Sequence, residues 1–233
     1  MNMIDIALVL IVAISVAFAV YRGFLASALA VVACFVSLGV AVLAGPTLAN
    51  ALRANQGITS LLITFTDADS LIGDSTLANT PVAALSPDTL ENILKTVSLP
   101  PVVQQLLRGN IQTQAFSSQG IYMINAYVSA TIVSVLLTAG SFLLCFFLSF
   151  LALHILINLV DHVFYFPVLR HLELPAAAVM GFIRGVIVVY ILLIIVPLVR
   201  TVIPFDTVEE YISASRLLPL FHSESLLLRI LAG

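Results

Sequence analysis

From Ile121 to Val160 the chain runs forty residues without one Asp, Glu, Lys or Arg. A hydrocarbon core about 30 Å thick is crossed by about 20 apolar residues at 1.5 Å rise per residue, so this segment alone exceeds a span. The rest of the chain obeys the same constraint: 61% of its residues are hydrophobic and 9% charged, with a mean hydropathy of +1.16. Backbone groups in lipid must find partners inside their own segment, so these runs are helices. The expected fold class is an all-α integral membrane protein with the lipid bilayer as its solvent.

Four spans are expected, at about 5–22, 24–44, 124–160 and 176–200. Asp5 stands where a signal peptide would carry positive charge, so the first run reads as a retained helix. Arg22 and Gly23 join it to the second by a very tight connection. The third run is too long for one perpendicular helix. Either it tilts and protrudes, or it folds back near Thr138, Ala139, Gly140 and Ser141; a single helix is favoured, because those residues are weak turn formers and a hairpin would leave backbone groups unpaired at membrane depth. Pro175 opens the fourth span and Pro197 bends or ends it.

Residues 45–120 carry Asp67, Asp69, Asp74, Asp88 and Glu91 and are expected outside the hydrocarbon, either as a helical cap on the membrane surface or the bundle or as a helical linker with no binding role. Ser86, Pro87, Asp88 and Glu91 read as an N-cap, an N1 proline and an acidic first turn, with Leu90, Ile93, Leu94 and Val97 as the apolar stripe behind them. A second short helix is predicted over Val102 to Arg108, ended by Gly109 and Asn110. Residues 205–233 form an amphipathic tail that lies in the interface or packs on the cap.

Helices in lipid associate through small faces that let backbones approach. Ala177, Gly181 and Gly185 give small-xxx-small twice in succession; Ala19, Gly23, Ser27 and Ala33, Ser37, Ala41 repeat it earlier. A crossing is expected at the glycine pair, with its partner inside the chain.

Charges near lipid must snorkel, pair or face water. Arg22 ends the first span, and Arg184 lies about eight residues, or roughly 12 Å, into the fourth. The Arg22 turn and the Asp161 to Glu173 connection emerge on one side, which puts Arg22, Arg184, Asp161 and Glu173 in the same half of the bilayer. His154, Asn158 and Asp161 stand at i, i+4 and i+7, one helical face, as candidate partners for Arg184. Such a cluster either pairs the arginine and fixes helix register, or binds an anion or passes protons.

Other chemistries are poorly represented. Nine Lys and Arg scattered over the chain form no run that would cover a phosphate backbone, which excludes nucleic acid as an expected partner. Cys34 and Cys145 lie in apolar segments without a His or second Cys at ligand spacing, and read as packing residues. Gly73, Asp74 and Ser75 resemble a protease nucleophile strand only superficially, since Thr76 replaces the glycine and no His precedes them; they read as a loop. No P-loop, H-E-x-x-H or G-x-S-x-G is present. The chain is therefore expected to be no enzyme and to need no metal or cofactor.

Asp5, the apolar helix ending in Arg22, Gly23 and Phe24, and the run Gly181, Phe182, Ile183, Arg184, Gly185 together resemble the colicin V production protein (CvpA) family. That family carries an "RGF" turn after its first helix and "G-x-x-R-G" in its last. It also has an Asp-Arg pair eleven and ten residues before the second arginine, where this chain has Glu173 and Leu174, and Ala177 replaces a usual glycine. Leu99 to Asn110 looks like the family's "L-P-P" helix, and Ser215, Arg216, Leu217, Leu218 and Pro219 like its C-terminal segment. The resemblance implies a multi-pass protein of the bacterial inner membrane, without catalytic activity, linked to toxin production or export and to envelope homeostasis.

Two functional classes follow. One is a non-enzymatic scaffold or accessory factor whose cap and tail bind a membrane or envelope protein. The other is a small channel or transporter, assembled as a homo-oligomer, with His154, Asn158, Asp161 and Arg184 along an aqueous path. Arg22 against Asp5 favours an outside N-terminus by the positive-inside rule, while Arg200, Arg216 and Arg229 argue the other way.

Overall fold

Two apolar runs separated by one glycine must change direction at that residue. In a computed structural model, which describes residues 3–66, 72, 75–97, 99–161, 173–194 and 215, α1 (Met3–Arg22) and α2 (Phe24–Ala54) are separated by Gly23 alone. Gly23 has φ 85° and ψ 171°, a region essentially reserved for glycine. The Ser27 hydroxyl bridges the break, donating to the carbonyls of Ala19 at 3.0 Å and Gly23 at 2.7 Å. Both carbonyls also accept backbone N–H groups, Ala19 O from Gly23 at 3.0 Å and Gly23 O from Ser27 at 3.2 Å, so backbone and side chain hold the turn together.

The second span does not stop at residue 44: α2 continues through Gly45 and Pro46 to Ala54. Pro46 lacks an N–H and crowds the preceding turn, yet it sits on the exposed outer face of α2. The inner face is a row of small buried residues every fourth position, Ala33, Ser37, Ala41, Gly45 and Ala49. A Cβ added at Gly45 would meet the Cα of Phe142 at 3.4 Å, so α2 and the third span lie nearly backbone to backbone there. That close packing carries the helix past the proline.

The cap follows. Asn55 ends α2 and caps α3 (Gln56–Phe65), its side chain accepting from the N–H groups of Gly57 and Ile58. A one-turn helix α4 (Ser75–Ala78) begins at Ser75, which was expected in a loop; Gly73 and Asp74 lie outside the described residues, as do Asp67 and Asp69. α5 (Pro87–Thr96) has the predicted start, with Ser86 Oγ accepting from Thr89 N at 3.2 Å. Its stripe is internal: Ile93, Leu94 and Val97 are buried. α6 (Pro101–Gln112) runs past Gly109 and Asn110, the expected terminators. Ile111 is buried and Asn110 Nδ2 donates to Thr131 Oγ1, which hold the extra turn in place.

The third span is one helix, α7 (Ile124–Asp161), rather than a hairpin. Its 38 residues extend roughly 57 Å at helical rise, well beyond the hydrocarbon. The cap packs on the first turns of α7: Ile93, Val97, Val102, Leu107, Tyr127 and Val128 belong to one core, which continues through Phe142 and Phe146 into the bundle. Val82 N donates to Tyr122 O at 2.8 Å and Ile124 N to Thr80 O at 3.2 Å, tying the cap to the start of α7. At the same end Arg53, in the last turn of α2, donates to Ser134 Oγ at 2.9 Å and to Thr138 Oγ1.

The fourth span, α8, covers Glu173–Leu192, three residues earlier than expected, with Pro175 inside its first turn rather than opening it. Pro197 and the tail, apart from Ser215, lie outside the described residues. α2 packs chiefly on α7, α1 on α8, and α8 also on α2. The four long helices are each apolar and long enough to cross a membrane. Their outward faces, with Leu10, Ile14, Phe35, Leu148, Leu159 and Phe182 exposed, form the apolar surface that lipid solvates.

Gly23→Ala combines a positive φ with a Cβ only 3.0 Å from Glu173 Oε1, and should destabilise the protein by about 1–3 kcal/mol. Gly140, inside α7, has nothing within 4 Å of an added Cβ, so Gly140→Ala should stabilise by about 0.5–1 kcal/mol. Thermal unfolding of both variants in micelles, followed by circular dichroism, checks the opposite signs.

Candidate functional site

The buried face of α1 contains Asp5, Leu8, Ser15 and Ala19, and Arg22 continues it at i+7 from Ser15. Against it lies the small face of α8. A Cβ at Gly181 would fall 2.8 Å from both Ser15 O and Val16 Cα, and one at Gly185 would fall 3.1 Å from Val12 Cα. Only glycine permits this approach. Ala177, on the same face, is fully buried, so the predicted crossing has its partner inside the chain.

The close approach creates a hydrogen-bonded knot. Ser15 Oγ donates to the Gly181 carbonyl at 2.8 Å, which leaves the hydroxyl oxygen to accept from Arg184 Nε at 3.0 Å. Arg184 Nη2 donates to the Ser15 carbonyl at 3.1 Å. Arg184 is 8% exposed and stands eleven residues after Glu173, about 16 Å along α8.

Arg184 and Arg22 share one ring. The guanidinium carbon of Arg22 lies 5.3 Å from the Phe18 centroid and that of Arg184 lies 5.6 Å from it, both within cation–π range. Phe18 is in turn 6.4 Å from the His154 ring, which stacks on Phe150 at 5.7 Å, and Phe150 stacks on Phe146 at 5.9 Å.

The expected stripe of α7 is present, but its arginine is a different one. Arg22 Nη1 contacts His154 Nε2 at 3.2 Å and Arg22 Nη2 donates to Asn158 Oδ1; Arg184 bonds neither. The reason is axial: Arg22 ends α1 opposite the last turns of α7, whereas Arg184 is captured by Ser15 deeper in the bundle. A guanidinium only donates, so His154 Nε2 accepts and the ring hydrogen resides on Nδ1. Nδ1 is enclosed and has no partner among the described residues.

Asp161 is the last residue of α7, and its side chain lies outside the described residues. Glu173 is exposed at the start of α8, its carboxylate beside Gly23, and pairs with neither arginine. Arg22, His154 and Asn158 thus form one group, Arg184, Gly181 and Ser15 a second, and Phe18 joins them. Ser15 and Phe18 were not singled out from sequence, although Ser15, Phe18 and Arg22 stand at i, i+3 and i+7.

At the other end of α1, Asp5 is 2% exposed and its Oδ1 accepts from Ser215 Oγ at 2.6 Å. Cys34 is buried and Cys145 half-buried, and both are free thiols. Among the described residues no three His, Cys, Asp or Glu side chains are placed to hold a metal ion. The cap contains a cavity of about 400 Å³, lined by Val82, Leu85, Leu90, Glu91, Arg108 and Ile111 among others. Compared with protein-family models, with curated proteins and with solved structures, the chain matches none.

Ser15→Ala should leave Arg184 Nε unpaired and Gly181 O without its interhelical donor, costing about 1–3 kcal/mol. A double-mutant cycle with Arg184→Gln, read by thermal unfolding, should show the two losses to be non-additive by at least about 0.5 kcal/mol; additive losses would mean that the contact contributes nothing.

Proposed function

We propose that this chain is a non-enzymatic accessory or scaffold protein of the bacterial inner membrane, of the colicin V production type, serving toxin production or export and envelope homeostasis. One observation carries the reading: Arg22 and Arg184 both bond from helix to helix. Arg184 and Ser15 join α8 to α1, and Arg22 joins α1 to α7 through His154 and Asn158. Polar groups used in this way fix register and depth. The RGF turn and the G-x-x-R-G run fall at two of the tightest points, where Gly23 adopts its positive φ and Gly181 meets Ser15, so the residues that carry the family resemblance are those the helix arrangement requires. The cap, with its 400 Å³ cavity, is the surface offered to a membrane or envelope protein.

The second reading is a small oligomeric channel. It is favoured by the enclosed polar atoms Ser37 Oγ, Ser141 Oγ and His154 Nδ1, which have no partner among the described residues. Liposomes containing the purified protein separate the two. The scaffold reading expects no flux of protons, small anions or osmolytes above that of empty vesicles, with Arg184→Gln and His154→Ala altering only stability. Flux that both substitutions change would replace it with the channel.

A further inference from the structure

Each guanidinium has five N–H donors and no acceptor. Arg22 uses two, toward His154 and Asn158, and Arg184 uses two, both toward Ser15. Three N–H groups on each side chain are left without a protein acceptor among the described residues. Neither arginine has a carboxylate partner there: Glu173 stands beside Gly23, and Asp5 is bonded to Ser215. Two positive charges therefore flank one phenyl ring in the same half of the bilayer, uncompensated by the described side chains.

Two of the unused donor nitrogens, Arg22 Nε and Arg184 Nη1, are open to the surroundings. The fully enclosed side-chain polar atoms that lack a partner among the described residues are Ser37 Oγ, Ser141 Oγ and His154 Nδ1, and no guanidinium nitrogen is among them. What surrounds this place is lipid. Tyr21 is 87% exposed beside Arg22, and Phe18, Leu25, Ile155, Leu159 and Leu174 are exposed on the helices around it. Arg22 ends a 20-residue span, so it stands about 30 Å along α1, at one edge of the hydrocarbon where phosphates lie.

We propose that Arg22 and Arg184, spaced by Phe18, form a binding site for the phosphate of an anionic phospholipid in the leaflet that holds the Arg22 turn. Arg22 takes the phosphate oxygens at the interface. Arg184, anchored by Ser15, extends its free Nη1 toward the same group from below. Planar guanidinium donors suit phosphate oxygens, and the anion compensates both cations at once. Free phosphate offers the same oxygens, but the exposed apolar flanks supply a surface for acyl chains that it cannot use. The site is independent of the scaffold reading, since a lipid bound here serves a channel equally.

The test is binding by the full chain in neutral detergent, measured by native mass spectrometry and by thermal stabilisation. Phosphatidylglycerol, phosphatidylcholine and inorganic phosphate are titrated separately. The parent should prefer phosphatidylglycerol over phosphatidylcholine by about tenfold or more, and inorganic phosphate should neither stabilise the protein nor compete. Arg22→Gln, which leaves the Ser15 and Gly181 contacts intact, should reduce that preference to about twofold or less, and Arg22→Lys should retain part of it. Equal binding of the two lipids by the parent would overturn the proposal, as would happen if the Asp161 carboxylate already occupied the guanidinium groups. Unchanged preference in a folded Arg22→Gln protein would also overturn it. Inorganic phosphate that competes as well as the lipid would overturn the lipid as ligand.

Discussion

An arginine well inside a membrane helix is tolerated only where its donors meet acceptors and its charge meets a polarisable surface. In this chain Ser15 supplies two acceptors and Phe18 the surface, and both depend on a glycine. Gly181 brings α8 close enough for its carbonyl to take the Ser15 hydrogen, which turns the hydroxyl oxygen toward Arg184. Removing the glycine, the serine or the arginine breaks the same arrangement. The α1 and α8 pair sets the position of Phe18 and Arg22, and Arg22 in turn draws on His154 and Asn158 of α7.

The remaining helices are held differently. α2 and α7 meet along a row of small residues on α2 and aromatic ones on α7, with Gly45 against Phe142. That contact is dispersion and shape, the usual adhesive where lipid removes the hydrophobic drive. The cap rests on the part of α7 outside the hydrocarbon, where burial of Ile93, Val97, Leu107 and Tyr127 recovers the ordinary hydrophobic effect. One chain thus uses two adhesive regimes along the length of a single helix.

The long spans were legible because absence of charge over forty residues is a stronger signal than any propensity. The Ser86 start was legible because capping is local. The end of α2 was not: Pro46 is a helix breaker by its own chemistry, and only contact with α7 overrides it. Gly109 and Asn110 misled for the same reason, since Ile111 and Thr131 decide that helix from outside. His154 and Asn158 could be placed on one face from spacing, yet which arginine they meet depends on the relative depth of α1, α7 and α8. Serine in an apolar helix usually packs without consequence, so Ser15 gains its role only through the approach of Gly181.

The bond between Asp5 and Ser215 joins residues 210 positions apart, and those of Ser15 with Gly181 and Arg184 join residues 166 and 169 apart. The first helix of the chain is therefore completed by parts synthesised well after it. At about 5–20 residues per second, roughly eight to forty seconds separate synthesis of Ser15 and Asp5 from that of the residues they bond here. Closure of the bundle on α1 therefore waits for the synthesis of α8.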